Sequence, residues 1–592
     1  MQTLNRQDES FLDMETPTAP SHVGGLEIYR LPRGAGRDYM QKLFKYLKAQ
    51  PVRAEPFNFK LVTAEPPKES QTDWLKLPTQ RRRKPKPQRG WETLTDVDTA
   101  DHVFLHALPR PGGQRELGEL VSRLHVARLD RSRPLWEVHL IEGLEGGRYA
   151  MYTKLHHSQF DGKRGMDLIR YIRSSKASAR NLPPLWAVKP PASEAGAGGP
   201  AASESTLRKI VDWGKALRAM SSVRQNVPGD GVIAPYSAPE SILNQPLTER
   251  RRLGTVSLPI DRLKALGAAI EGGATINEVF LAICGGALRR YLAELKALPD
   301  KPLIAACPVA VARKDDTTAG NAVAQILVSL GTNIANPKKR LLAVVESSRV
   351  NKGQMKELGT EAYGIYTELS MIPQMLAAKT SFGHRVLNAN LIISNMPGPR
   401  ERQYVNGAEL ESMYAASLLL AGQALNITAS SYHDSLDVGI IACPEVCPGP
   451  QKIAVYAGEE LAVLERAMQV GAKQAAGKTT KRAATKRAAK KPPARKTAAK
   501  KPAATKPAAK KPAATKPAAT KPAATKPAAK KPAARKPAAE KPVAKKTAAK
   551  KTGARKAPAA AAPASVAASA PDQAVATQPA KKVSARRAAG QG

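Results

Sequence analysis

The sequence predicts a mixed α/β protein of two domains, followed by a basic tail. Three observations lead to this fold class. The chain has 592 residues, more than one ordinary hydrophobic core accommodates. Strand-like and helix-like patterns alternate on both sides of a segment rich in Pro, Gly and Ala at 189–206. After residue 470 the composition changes to Lys, Ala, Pro and Thr.

The first predicted domain covers residues 1–185. Its clearest element is the strand RYAMYTKLHH at 148–157, which follows the turn sequence EGLEGG. A little further on, the pattern MDLIRYIR has helical spacing. The adjacent histidines His156 and His157 should therefore lie at a strand-to-helix junction, a frequent place for reactive groups.

Residues 186–250 are predicted to form a linker or crossover, and residues 251–470 a second domain. Within the linker, 189–206 has small residues and no apolar periodicity, so we expect it to be flexible. The second domain closes with the helical pattern GEELAVLERAM. One uncharged stretch, SMYAASLLLAGQALNITASSY, is long enough to span a bilayer. Its polar side chains and its strand-like alternation predict a core segment instead.

The predicted tail, residues 471–592, holds 33 of the 93 Lys and Arg residues but only 2 of the 50 acids. The net charge of +43 therefore belongs mostly to the tail. Nine pentads of the KPAAx kind fill 501–545, and each proline would cost about 3 kcal/mol inside a helix. We expect a disordered tail that binds a polyanion, either an anionic membrane or lipid-droplet surface or DNA. The alternative is a solvated spacer.

The amino terminus and the cysteines indicate a cytoplasmic protein. The sequence MQTLNRQDESFLDMET lacks the basic start and apolar run of a secretory signal. The four cysteines form no CxxC pair, which favours reduced thiols over disulfides or a zinc site. Together with the tail, these features predict peripheral association with the inner membrane or with lipid inclusions.

Strand alternation separates the two histidines. If the strand persists to its end, His157 shares the more apolar face with Leu155, and His156 points the other way with Lys154. For HHxxxDG alone, a packed histidine pair is as good an interpretation as a catalytic base. A metal site is disfavoured, because adjacent strand histidines are poor joint ligands and no HExxH accompanies them. A serine hydrolase with a Ser-His-Asp triad is also disfavoured, because the sequence lacks the GxSxG elbow that such an enzyme needs.

Further motifs make the histidines part of an ordered set. The order along the chain is PTAPSHVGGLEIY, LDRSRPLWEVHLIEGL, KLHHSQFDGKRG, ATINEVFLAICGGALRRYL, GNAVAQILVSLGTNIANP, LIISNMPGPR and LNITASSYHDSLDVGI. HHxxxDG is shared by other CoA-dependent acyltransferases and by condensation domains, whereas the ordered set is more specific. Across roughly residues 1–465, the sequence resembles the bacterial bifunctional wax ester synthase/diacylglycerol acyltransferase family.

The resemblance implies the two-domain, chloramphenicol acetyltransferase-like fold of CoA-dependent acyltransferases, with a tunnel between two mixed α/β halves. It implies transfer of a fatty acyl group from acyl-CoA, a co-substrate, to diacylglycerol or a long-chain alcohol, with no bound cofactor or metal. The second histidine of the motif, His157, is then the general base, and His156 supports it. Asp161 would shape the turn through a salt bridge, or else cap the following helix.

Other candidate residues come from the remaining motifs. Asn277 is the candidate oxyanion donor, because a neutral amide can donate a hydrogen bond; its alternative is the N-cap of the helix in TINEV. Trp136 in PLW and Pro397 in SNMPGP are expected to pack near the tunnel, with core burial an equally good interpretation. The candidate substrate-binding residues are Pro134, Leu135, Trp136 and Gly162.

The sequence departs from the family pattern at several positions. Ser158, Gln159 and Phe160 replace small and aliphatic residues, Glu278 replaces Asp, and Arg164 replaces Ser. We expect these changes to affect substrate range and rate more than reaction class. Two other functions stay open: a related CoA-dependent acyltransferase with another acceptor, and an inactive body whose tail binds a polyanion.

Overall fold

The computed structural model describes residues 2–4, 6–64, 88–160, 171–188, 213–219, 231–310, 323–377, 380 and 382–470. The predicted flexible linker at 189–206, most of the predicted helix after the histidines and the tail at 471–592 lie outside these residues. The helices are α1 Arg6–Met14, α2 Tyr39–Lys48, α3 Gln114–Val126, α4 Ile260–Ala268, α5 Ile276–Glu294, α6 Pro337–Leu358, α7 Thr360–Ala377 and α8 Gln451–Met468. The strands are β1 Gln2–Thr3, β2 His22–Arg30, β3 Phe59–Ala64, β4 Gln88–Thr93, β5 Val103–Ala107, β6 Trp136–Leu144, β7 Arg148–His156, β8 Arg252–Pro259, β9 Ile304–Ala310, β10 Val323–Ser329, β11 Leu391–Met396, β12 Tyr404–Val405, β13 Ala408–Ala416, β14 Leu425–Tyr432 and β15 Ser435–Ala442.

The first sheet carries the histidine strand near its centre. Its spatial order is β12-β13-β2-β7-β6-β5. Among its described strands, β5 and β6 run parallel and the other neighbouring pairs run antiparallel. The predicted strand RYAMYTKLHH is β7, which ends at His156 rather than at His157.

The second sheet is also mixed and has the order β10-β9-β11-β14-β15-β8. Its large core surrounds α5, whose side chains from Glu278 to Leu292 are mostly buried. Such a helix, apolar on nearly every face, is expected in a core. The predicted closing helix GEELAVLERAM is the C-terminal part of α8 and packs against α5.

One strand from the second half of the chain completes the first sheet. Strand β13 pairs antiparallel with β2, so that Ala416 lies opposite Gly24. Strand β13 also contacts β14 and β15 of the second sheet, where the Asp437 carboxylate accepts a hydrogen bond from the Met413 amide at 2.8 Å. Asp437 is fully buried, so this bond firmly joins the two sheets.

The stretch that could have spanned a membrane forms parts of these two sheets. It comprises the end of β13, a short loop and β14, and most of its residues are buried, so the predicted core segment is confirmed. No helix in the described part of the chain combines the length and apolar character needed to cross a bilayer.

Candidate active site

The turn that follows β7 is fixed by its own backbone and by Ser21. The amides of Gln159 and Phe160 both donate to the His156 carbonyl, at 3.0 and 3.2 Å. The His157 amide donates to the Ser21 carbonyl at 2.9 Å, which continues the β2–β7 ladder one residue past the strand. The histidine pair therefore sits on a hydrogen-bonded turn at the edge of the sheet core.

His156 is buried and tightly held. Its side chain is 1% exposed, and Nδ1 lies 2.7 Å from the Ser158 hydroxyl and 3.2 Å from the Ser158 amide. An amide can only donate, so Nδ1 accepts and the neutral ring carries its proton on Nε2. Nε2 faces a carboxylate oxygen of Glu15 at 3.7 Å. The predicted supporting role of His156 fits this geometry.

Glu15 was not predicted as a site residue. Its side chain is 2% exposed and accepts hydrogen bonds from Arg131, at 3.1 and 2.7 Å, and from the Ser21 amide at 3.2 Å. Burial alone would raise the pKa of Glu15, but bonding to His156, Arg131 and Ser21 lowers it to about 2. Arg131 lies 116 residues away, so no local pattern could have revealed this pair.

His157 is more accessible than its neighbour. It is half-buried, and its ring stacks on Phe11 of α1 with centroids 4.1 Å apart and planes 21° apart. Because β7 ends at His156, strand alternation does not set the direction of His157.

The two faces of β7 differ in burial as well as in polarity. The face carrying Tyr152, Lys154 and His156 is the more deeply buried one, although it is the less apolar. Helix α3 covers it: Lys154 Nζ donates to the Leu124 carbonyl at 3.1 Å, and His125 bonds the Tyr152 hydroxyl at 2.7 Å. Polar side chains that satisfy each other can thus occupy the better buried face.

The PLW residues lie in the core. The indole of Trp136 is fully buried, donates to the Phe57 carbonyl at 2.8 Å and stacks between His102 and Trp186. The Leu135 carbonyl accepts from the His156 amide at 3.1 Å. This favours packing over substrate binding for the side chains of Pro134, Leu135 and Trp136, all of which are buried.

The unusual SQF residues are also internal. Gln159 donates to the Phe59 carbonyl at 3.1 Å, and Phe160 packs on Phe57 with ring centroids 4.9 Å apart. Ser158 is bonded to His156, as described above. These side chains support the turn from the protein interior. Their effect on substrate range stays a prediction.

Asn277 belongs to the second half of the chain. It is half-buried in the first turn of α5, and its Oδ1 accepts from Asn395 Nδ2 at 3.3 Å. The alternative that Asn277 caps this helix is wrong, because Thr275 is the N-cap and forms a capping box with Glu278. Pro397, two residues after Asn395, is exposed, which contradicts core burial for that residue.

Glu278, which replaces the usual Asp, is buried and pairs with Lys352 at 3.0 Å. Burial would raise the pKa of Glu278, but hydrogen bonds from Thr275 and Lys352 lower it overall. The carboxylate is therefore a structural cap with a charged partner.

All four cysteines are free and buried. Burial raises the pKa of Cys284 strongly and raises that of Cys307 to about 12, so neither is a thiolate nucleophile at neutral pH. Among the described residues, no group of three or more His, Cys, Asp or Glu side chains could hold a metal ion. Three predicted residues, Asp161, Gly162 and Arg164, lie outside the described part of the chain.

Two mixed sheets, with a histidine pair on a turn at the end of a central strand, agree with the fold that the resemblance to CoA-dependent acyltransferases implies. Two family models match the chain: the wax ester synthase/diacylglycerol acyltransferase catalytic domain over 4–280 and the WS/DGAT C-terminal domain over 319–465. The chain belongs to this family. The predicted family and fold class are confirmed.

Individual relatives agree with the family match. A putative diacylglycerol O-acyltransferase of Mycobacterium tuberculosis is 38% identical over 503 residues, covering 78% of this chain and 97% of the relative. The O-acyltransferase WSD of Acinetobacter baylyi is 34% identical over 492 residues, with the same coverage. The solved wax ester synthase/diacylglycerol acyltransferase from Marinobacter aquaeolei is 33% identical with a TM-score of 0.63, covering 79% of this chain and all of that one.

Proposed function

We propose that this protein transfers a fatty acyl group from acyl-CoA to the hydroxyl of diacylglycerol or of a long-chain alcohol, giving triacylglycerol or a wax ester. The family and the names of its relatives support this reaction. The observation that carries it is the contrast within the histidine pair. His156 is buried and hydrogen-bonded to Ser158 through Nδ1, whereas His157 is half-buried at the edge of the turn.

His157 acts as the general base. An alcohol about as acidic as water has a pKa near 15.7, roughly nine units above a free imidazole, so forming an alkoxide first would cost about 12 kcal/mol. The imidazole must therefore take the proton while the oxygen attacks the thioester carbonyl. The same proton then passes to the leaving thiolate, and no acyl-enzyme is needed.

The tetrahedral intermediate carries a negative oxygen, which needs a fixed donor. Asn277 fills this role in the proposal. Because its Oδ1 accepts from Asn395, its NH₂ group is oriented to donate in another direction. Its position at the start of a long buried helix adds a favourable partial positive charge.

The decisive assay uses purified protein with acyl-CoA and either diacylglycerol or hexadecanol, followed by chromatographic identification of the products. His157→Ala should lower kcat by about 10² to 10⁴, the usual contribution of a general base. The matched control is His106→Ala, a half-buried histidine elsewhere in the first sheet. Full turnover by His157→Ala would contradict the assignment. If no ester forms with either acceptor, a related acyltransferase that uses another acceptor is favoured.

We also propose that the basic tail holds the protein at an anionic lipid surface, with each engaged Lys or Arg contributing roughly 1 kcal/mol. The support is the charge of residues 471–592 alone. A variant ending at Val470 should keep its activity on dispersed substrate but pellet less with anionic vesicles at low salt. DNA retention measured at two salt concentrations tests the competing partner. Salt-sensitive DNA binding without vesicle binding would contradict the lipid role.

A further inference from the structure

One N-terminal segment contacts both histidines. Phe11 of α1 stacks on the His157 ring, and Glu15, four residues later, faces the His156 ring. We propose that Glu15 is a positioning residue, which holds the histidine turn in its working geometry and sets the basicity of His157. This inference rests on the proposed function, in which His157 is the base.

The Glu15 carboxylate joins three separate parts of the site. One oxygen accepts two hydrogen bonds from Arg131, whose guanidinium also donates to the Leu12 carbonyl at 2.9 Å. The other oxygen accepts from the Ser21 amide and lies 3.7 Å from His156 Nε2. The carboxylate therefore connects the N-terminal segment, the loop before PLW and the end of β7.

Two connections run from Glu15 to the turn. Through the backbone, Glu15 fixes Ser21, whose carbonyl accepts the His157 amide at 2.9 Å. Through the side chain, it faces the Nε2 proton of His156, while Ser158 occupies Nδ1. A carboxylate opposite one ring nitrogen selects the tautomer and the orientation of a histidine.

The proposal extends to the charge of Glu15, because Phe11 of the same segment contacts the ring of the proposed base. Buried charges are weakly screened, and a nearby anion favours the protonated form of an imidazole. With its partners intact, Glu15 is ionised throughout the physiological pH range, since its pKa is about 2. His157, adjacent to His156 and in contact with the same N-terminal segment, should feel this charge.

The test compares variants of the full-length protein by kcat, KM and the pH dependence of kcat/KM. Glu15→Gln keeps the shape and removes the charge. It should lower kcat about tenfold to hundredfold, by analogy with partners that orient metal-binding histidines, and leave KM within about twofold. The acid limb of the pH profile should move to lower pH. Glu15→Asp keeps the charge and should keep the limb close to its wild-type position.

Arg131→Gln provides a test with the opposite sign. Arg131 is 39% exposed, so the variant is expected to fold, and it leaves the Glu15 charge less compensated. The acid limb should then move to higher pH. The matched control is Glu460→Gln, which removes another buried carboxylate that pairs with an arginine, Arg340, at 2.5 Å. It should change stability but not the pH profile.

Two outcomes overturn the proposal: Glu15→Gln with unchanged kcat and acid limb, or Arg131→Gln with a limb that stays fixed or moves to lower pH. If Glu15→Gln does not fold, the Arg131 variant decides. Failure of the proposed function is distinguishable, because it would appear as full turnover by His157→Ala. An inactive His157→Ala with a kinetically unchanged Glu15→Gln would reject only the positioning role.

Discussion

The histidine turn and the start of α5 supply the two halves of the proposed chemistry, yet they are built differently. His156 and His157 are held by residues far away in sequence, such as Glu15 and Arg131. Asn277 stands on a helix whose start is determined within four residues, by Thr275 and Glu278. The first region depends on the assembled fold, whereas the second depends mainly on a local capping signal.

This difference has an energetic side. Around the histidines, polar groups are buried in a connected network, in which removal of one member leaves its partners unsatisfied. At the start of α5, Glu278 is buried, but Thr275 is exposed and Asn277 is half-buried, so water can replace a partner that either of these two loses. Substitutions in the first region should therefore destabilise the protein more than equivalent ones in the second.

The largest expected effect on stability is at Lys154, two residues before His156. Its side chain is fully buried, pairs with Glu137 at 2.6 Å and donates to the Ala127 carbonyl at 2.9 Å. Lys154→Met leaves the Glu137 carboxylate without its cation and should cost about 3 to 5 kcal/mol of unfolding free energy. Denaturant unfolding measures this cost.

The matched control is Lys352→Met, which removes the cation paired with Glu278 near the start of α5. Lys352 is 30% exposed, whereas Lys154 is fully buried, and the Glu278 carboxylate keeps its hydrogen bond from the Thr275 amide at 2.9 Å, so the expected cost is smaller, about 1 to 2 kcal/mol. Equal costs for the two lysine variants would remove the contrast between the regions.

Asn277 should matter to catalysis rather than to stability. Asn277→Ala removes the proposed oxyanion donor and should lower kcat by about 10² to 10³, with a small change in unfolding free energy. Asn395→Ala, which removes only the partner of Asn277, should have a smaller effect on kcat. A change in KM alone for Asn277→Ala would contradict the oxyanion role.

The features that could be predicted from the sequence follow the same division between locally determined and fold-dependent regions. Strand β7 and a helix that begins in TINEV have local patterns and were predicted, whereas the burial of that helix was not. The pairing of β13 with β2 was not, because nothing near Ala416 indicates that its neighbour is Gly24. Likewise, HHxxxDG drew attention to the histidines, but Glu15 and the burial of the Lys154 face depend on contacts that form only when the chain folds.

Acid should weaken the histidine region through its two paired carboxylates. Burial would raise the pKa of Glu137, but bonds to His139 and Lys154 lower it to about 2, as happens at Glu15. A lowered carboxylate pKa stabilises the fold above the unfolded value near 4.5, and this stabilisation is lost as the pH falls toward 2. Each group should contribute about 2 to 3 kcal/mol. Glu137→Gln should flatten the fall in unfolding free energy below pH 4.5; an unchanged slope would contradict the pairing.

The smallest expected effect is at the cap of α5. Thr275→Ala removes the hydroxyl that accepts from the Glu278 amide at 3.2 Å and should cost about 1 kcal/mol. Thr275→Ser keeps the hydroxyl and should cost much less. Because the cap also orients the first turn, kcat should fall slightly in Thr275→Ala, whereas the acid limb of the pH profile should stay in place. A shift of that limb would mean that the two regions are electrostatically coupled, and the separation between a fold-dependent histidine turn and a locally built helix start would not hold.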